Sequence, residues 1–406
     1  MGDRAVTVDH DVVALCRELA ERFAPRAAAY DREGNFPVEN FEELKAAGLL
    51  GIMVPKQYGG MGMGFLTYTM ALEQLAKGDA STALTFNMHN ITAGTLAEVD
   101  PSKVEGRHGK RMADFREWVF DQMINGKKVF ASANSEPGIG AHFSAIQSTY
   151  RRVDGGFVIN GAKLFVSMAG YADFYTVVAR RADSTADVPE LSFFIVGLDN
   201  PGVRIEKVWD ALGMRATTSD NMYFTDCFVP EDRLFLGIEG LGAYKVVREP
   251  HWVIGGYVGA YLGICTATFE YMVEHLQKKK IPGTVRSVVE RDWVQHEVGR
   301  LYAGLQATRH TVYHGAELVE TQPGTRETNV AVHCSKYAVS EYAPYLASQA
   351  IRLCGGSSIS RSRPLERLYR DARCGGLMPA TSDECLLYVG KSELGLELDR
   401  LADTYW

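Results

Sequence analysis

The sequence lacks the cysteine and histidine spacings that build a metal or disulfide framework. Its seven cysteines, at positions 16, 227, 265, 334, 354, 374 and 385, form no Cys-x-x-Cys pair and have no histidine at zinc-ligand spacing. That excludes a zinc ribbon and predicts reduced thiols in a cytoplasmic protein without a metal centre. A basic excess is missing too: 43 Lys and Arg face 50 Asp and Glu, for a net charge of −7. A nucleic-acid binder usually carries the opposite balance, so none is expected here. The N-terminus, MGDRAVTVDHD, has early charges and no apolar core, which argues against a secretory signal. Val6 stands where N-myristoylation needs Ser or Thr. One uncharged stretch runs from Trp252 to Phe269, but four glycines interrupt it and no anchor pattern flanks it. It reads as a helix buried in a bundle rather than a membrane span. No repeat of 20–50 residues is evident.

What is present suffices for a large core. Of the 406 residues, 46% are hydrophobic, enough for two or three domains. From Val8 to about residue 125 the period is helical, with Val12, Leu15, Leu19 and Phe23 at three- and four-residue spacing. FEELKAAGLLGIMVP repeats that pattern and stops at Gly51 and Pro55. The charge-rich segment 99–118 reads as a loop or a surface helix. Between Val129 and Val229 the period drops toward two. Short runs such as Phe174-Tyr-Thr-Val-Val-Ala and Leu191-Ser-Phe-Phe-Ile-Val alternate with the turn signals Asp154-Gly-Gly, Asn160-Gly and Asp199-Asn-Pro-Gly. From Gly240 onward helical texture returns, with long amphipathic helices over 294–318 and 329–354. The expected fold is α+β: an N-terminal helical domain (1–125), a central antiparallel β-barrel or sandwich domain (126–238), and a C-terminal four-helix-bundle-like domain (239–406).

Ser135-Glu-Pro-Gly-Ile-Gly140 sits at the entry to the strand zone. Its glycines expose backbone N–H groups and let a planar ligand approach closely, although such a turn in isolation is as readily a plain strand entry. It is followed in order by Asn160-Gly-Ala-Lys-Leu-Phe-Val-Ser167, Leu212-Gly-Met-Arg-Ala-Thr-Thr218 and Phe224-Thr-Asp-Cys-Phe-Val-Pro230. Near the end comes RPLERLYRDARCGGLMPATSDE, residues 363–384. Together with Gly51-Ile-Met-Val-Pro-Lys-Gln-Tyr-Gly-Gly60, these blocks resemble the acyl-CoA dehydrogenase family over nearly the whole chain. The resemblance implies FAD, an acyl-CoA substrate, an electron-transfer flavoprotein as electron acceptor, a homo-oligomer (dimer or tetramer), and a place in fatty acid or lipid metabolism.

Carried over position by position, the resemblance places Ser132, Ser135, Gly140, Phe165 and Ser167 on the flavin. Ser135 replaces a threonine beside the ring, Phe165 a tryptophan over its face, and Ser167 a threonine at its edge. Thr381 and Asp383 fall on the flavin-contacting end of the C-terminal run, and Ala141 and Arg248 on the substrate side. Arg352, Gly355 and Gly356 match the block through which a second protomer reaches the cofactor. Arg352 has replaced a glutamine there, and suits either a pyrophosphate or a surface ion pair.

The position of the usual catalytic glutamate is Pro379, which has neither a carboxylate nor an N–H. Some family members carry the base on another helix, ahead of a Gly-Gly-x-x-Gly run. Glu249-Pro-His-Trp-Val-Ile-Gly-Gly-Tyr-Val-Gly259 puts Glu249 at that relocated position, where it is equally a helix-start residue stabilised by the macrodipole. His251 reads as a structural histidine or an acid–base group. Three functions fit: α,β-dehydrogenation of an acyl-CoA with Glu249 as base, flavin-dependent monooxygenation needing no base, and a non-catalytic subunit of a hetero-oligomer.

Overall fold

The structure is a computed structural model that describes residues 6–184, 190–398 and Arg400; the first five residues of the N-terminal reading lie outside this range. Five helices lead: α1 (His10–Glu33), α2 (Val38–Ala46), α3 (Phe65–Gly78), α4 (Ala80–Ala97) and α5 (Gly106–Ile124). Asp9 caps α1 by accepting from the N–H groups of Asp11 and Val12, and Gly34 ends it in the left-handed region at φ 67°. The charge-rich stretch ends as α5, which buries Met112, Phe115, Val119 and Phe120 on one face.

Seven strands follow: β1 (Phe130–Ala133), β2 (Thr149–Val153), β3 (Gly156–Val166), β4 (Phe174–Arg181), β5 (Leu191–Gly197), β6 (Val203–Glu206) and β7 (Asp220–Pro230). They form one sheet in the order β1-β4-β2-β3-β7-β6, with β5 on the other side of part of β4. Pairing is antiparallel except for β1–β4 and β2–β4, which are parallel. β4 and β5 are buried on both faces, which is why they read as unbroken apolar runs instead of alternating ones.

The last layer holds α6 (Leu241–Arg248), α7 (Val258–Lys278), α8 (Asp292–Thr321), α9 (Arg326–Cys354), α10 (Pro364–Cys374) and α11 (Ser382–Glu393). By length and composition the apolar helix at His251–Lys278 would cross a membrane, but most of it is buried inside the protein. Gly259 and Gly263 let α7 press against the backbone of α3: an added Cβ would meet the carbonyls of Thr69 and Glu73. The three layers interlock. Arg370 on α10 pairs with Asp31 on α1 at 2.6 Å, and buried Asp371 accepts the Met214 N–H at 2.6 Å. Burial pushes the Asp371 carboxyl up to about 7.

Candidate active site

A cleft of about 390 Å³ opens where the layers meet. One wall is α4, through Leu84, Met88 and Ile91; another is the sheet, and the third is the 373–379 segment after α10. Of the residues singled out from the sequence, Ser132, Ser135, Ala141, Phe165 and Ser167 all line it. The β3–β7 register shifts between Lys163 and Val166. This bulge turns Phe165 outward at φ 53°, a region bulky residues rarely occupy, so position outweighs local strain. Its ring is 62% exposed at the lip of the cleft, edge-on to Trp209 with centroids 6.0 Å apart.

A chain of hydroxyls backs the sheet wall. Ser167 lies 2.9 Å from Ser219, Ser219 lies 2.8 Å from Thr217, and Thr217 donates to the Met214 carbonyl at 2.9 Å. Because the Thr217 proton is committed, Ser219 donates to Thr217 and Ser167 donates to Ser219. The Ser167 lone pairs then face a ligand as acceptors. Asn134 also lines the cleft, and its Oδ1 is buried without a hydrogen-bond partner, so it too awaits a donor. An exposed aromatic lip, two acceptors on one wall and an apolar floor fit the edge and faces of an isoalloxazine.

The turn that carries Asn134 and Ser135 is fixed from behind. Buried Lys163 donates to Glu136 at 2.6 Å, and the N–H groups of Gln147 and Ser148 donate to the same carboxylate at 2.6 and 3.1 Å. Burial alone would raise Glu136, but Lys163 and these donors more than offset it and hold the group below the usual carboxylate range. On the third wall Pro379 lines the cleft, and its carbonyl accepts from the Tyr257 hydroxyl. Buried Lys336 donates to the Gly375 carbonyl at 2.6 Å and to Ser340 at 3.1 Å, pinning this segment. Burial pulls the Lys336 ammonium down to about 8.

Glu249 does not open α7. It caps the C-terminal end of α6, at φ −135° and ψ 69°, ahead of a π-turn at His251–Gly255. It lines a side recess of about 40 Å³ whose walls include Ile91, Ser132, Asn134 and Val253, all shared with the main cleft. Its carboxylate takes a 2.6 Å ion pair from Lys245, which stands 3.6 Å from Glu98. Glu98 accepts from Trp252 at 2.8 Å and contacts His251 Nε2 at 3.0 Å, so buried His251 is a structural partner. Burial would raise Glu98, yet His251, Lys245 and Trp252 outweigh it and keep the group low.

The other residues lie elsewhere in this protomer. Gly140 (φ 61°) closes a turn onto Glu136. Thr381 caps α11 in a capping box with Glu384, and Asp383 sits in the first turn. Arg352 pairs with Glu297, beside Gly355 and Gly356 at the end of α9. Arg248 stacks over Tyr244, 5.9 Å away, at a separate small cavity with Arg326. Asn134, Thr217, Ser219 and Tyr257 line the cleft from within or beside the motif blocks but were not singled out there, whereas Trp209 is brought to it by folding from a stretch that carried no signal.

Helices around a curled sheet, with a ring-sized cleft at their junction, define a flavoprotein oxidoreductase scaffold. Sequence families described as the N-terminal, middle and C-terminal domains of acyl-CoA dehydrogenase match residues 9–99, 131–227 and 256–383. The chain belongs to the acyl-CoA dehydrogenase family. The rat mitochondrial short-chain specific acyl-CoA dehydrogenase is 29% identical, over 91% of this chain and 85% of its own. Butyryl-CoA dehydrogenase from Megasphaera elsdenii superposes with a TM-score of 0.84 at 26% identity, covering 97% of this chain and 100% of its own. KijD3, solved with FMN and dTDP-3-amino-2,3,6-trideoxy-4-keto-3-methyl-D-glucose, gives 0.83 at 26% identity, covering 96% and 95%.

Proposed function

We propose that the protein binds FAD and dehydrogenates a CoA thioester between its α- and β-carbons, with Glu249 as the base. One observation carries this reading. Among the described residues, Glu249 is the one carboxylate on the walls of either the cleft or its recess. The α-proton goes to Glu249, and a bound flavin supplies the acceptor for the β-hydride. To act, Glu249 has to part from Lys245, and Glu98 offers Lys245 a second anion 3.6 Å away. Phe193, Phe235 and Trp252 give the recess apolar walls beside Glu249. Phe165, Leu212 and Leu377 are each more than 60% exposed around the lip, which supports a homo-oligomer whose second protomer covers the flavin. An electron-transfer flavoprotein is the proposed acceptor.

Anaerobic addition of short acyl-CoA thioesters should bleach the flavin, and Glu249→Gln should abolish the bleaching with flavin still bound. Bleaching at an unchanged rate in the variant rules out Glu249. A second reading has its own support: among the described residues no carboxylate or imidazole lines the main cleft, which suits an oxygen-dependent reaction that needs no base. In that case acyl-CoA leaves the flavin oxidised, and NADH with a flavin reductase drives oxygen uptake.

A further inference from the structure

The hydroxyl chain on the sheet wall can run in two directions. Ser167, Ser219 and Thr217 are 7%, 4% and 1% exposed, so the chain meets a ligand at its Ser167 end. Its inner end, the Met214 carbonyl, holds more donors than it needs. It accepts from the Thr217 hydroxyl at 2.9 Å, the Thr217 N–H at 3.1 Å and the Trp209 indole N–H at 3.1 Å. A carbonyl oxygen has two lone pairs, so the hydroxyl can leave with both still filled. Thr217 then donates to Ser219, Ser219 to Ser167, and Ser167 into the cleft. The backbone is held still for this reversal. Buried Asp371 fixes the Met214 N–H at 2.6 Å, and the Met168 N–H donates to the Thr217 carbonyl at 2.9 Å. The hydroxyl oxygens stay 2.9 and 2.8 Å apart while each O–H turns about its own C–O bond. No proton leaves an oxygen, and the net charge is unchanged.

We propose that Thr217 and Ser219 are positioning residues that let Ser167 reverse its hydrogen bond to the flavin edge as the flavin changes redox state. The hydride-accepting ring nitrogen has only a lone pair when oxidised and carries a hydrogen when reduced. With the Thr217 hydroxyl on Met214, Ser167 accepts and favours the reduced ring. With that hydroxyl on Ser219, Ser167 donates and favours the oxidised ring. Turning Ser167 alone would leave two oxygens 2.9 Å apart with no hydrogen between them, so the three hydroxyls have to turn together. The inference rests on the flavin proposed above and not on Glu249 or the thioester.

The test measures the midpoint potential of the purified flavoprotein against a reference dye, with xanthine and xanthine oxidase as reductant, and its affinity for oxidised FAD by fluorescence. In Thr217→Val the outward order strands a buried Ser219 proton, whereas the inward order leaves only a lone pair unfilled, which is the lesser cost. Ser167 is then held as a donor. Reduced flavin should lose about fivefold in affinity relative to oxidised flavin, a fall of about 20 mV for a two-electron couple. Thr217→Ser keeps the hydroxyl and should stay within about twofold of wild type. Trp209→Phe takes one donor from Met214, holds the Thr217 hydroxyl there, and should move the potential the other way. A potential that is unmoved or raised in Thr217→Val overturns the proposal. Equal loss of both affinities overturns it too, because loosened packing alone would produce that. If Thr217→Val does not fold, Trp209→Phe decides by sign, and no rise in potential overturns the proposal. Acyl-CoA bleaching enters none of these readings, so failure of the thioester reaction leaves them intact.

Discussion

Replacing Lys163 with methionine tests whether the flavin-side turn depends on its buried ion pair. Lys163 is fully buried and Glu136 is 2% exposed, so removing the ammonium strands a carboxylate that only Gln147 and Ser148 still satisfy. Breaking one partner of a buried pair costs about 3–5 kcal/mol. Unfolding entropy of roughly 2.1 cal/mol/K per residue gives about 0.85 kcal/mol/K for 406 residues, so Tm should fall by about 4–6 °C. Lys163→Met/Glu136→Gln should recover at least half of this, because no charge is left unpaired. The pH dependence supplies a second check. In the wild type Glu136 sits below the usual carboxylate range, so its contribution is present at neutral pH and is lost as pH falls through that depressed value. In Lys163→Met the stranded carboxyl rises instead, and stability is lost as pH rises through it. The deficit against wild type should therefore be larger at pH 8 than at pH 5. A Tm within 1 °C of wild type, or no recovery in the double variant, refutes the reasoning.

Other outcomes follow from single positions. In Gly94→Ala the new Cβ would fall inside the indole of buried Trp252; the variant should give little soluble protein, measured by expression and circular dichroism, whereas Ala93→Gly beside it should fold. Pro379→Glu returns a carboxylate to the main cleft wall, and should speed anaerobic flavin bleaching by short acyl-CoA thioesters at least tenfold if base placement limits the rate. No acceleration in a variant that still holds flavin would mean that something other than the base is missing. Lys245→Met frees Glu249 from its 2.6 Å ion pair, and should change the pH profile of bleaching without changing flavin content; an unaltered profile separates Lys245 from the reaction.

Much of the fold could be read from periodicity, and the reason is physical. Amphipathic spacing in α1, α8 and α9 records which face is buried, and Asp154-Gly marks the turn between β2 and β3; Asn160-Gly, expected as a turn, instead falls inside β3, where the pairing with β7 shifts register. The parallel pairing of β1 with β4 could not be read, because it joins residues 44 apart, as in Phe130 with Phe174, and no local signal encodes such a contact. At the site, motifs placed Ser135, Phe165 and Ser167 on the cleft wall. Glu249 was placed in the right neighbourhood but on the wrong element. Pro250 and the π-turn after it break the helix that a simple superposition of glycines continues, so the carboxylate faces Lys245 in a recess. Tyr257 and Trp209 gave no signal because a buried tyrosine and a loop tryptophan look alike in any core.

The flavin cleft is walled by α4, by the sheet and by the segment after α10, so no single layer contains it. A ligand seated there binds only the assembled protein and draws the unfolding equilibrium toward the native state in proportion to its occupancy. Vitamin supply would in this way set how much of the chain survives proteolysis in a cell. Cofactor-poor cultures should yield less protein as well as less colour.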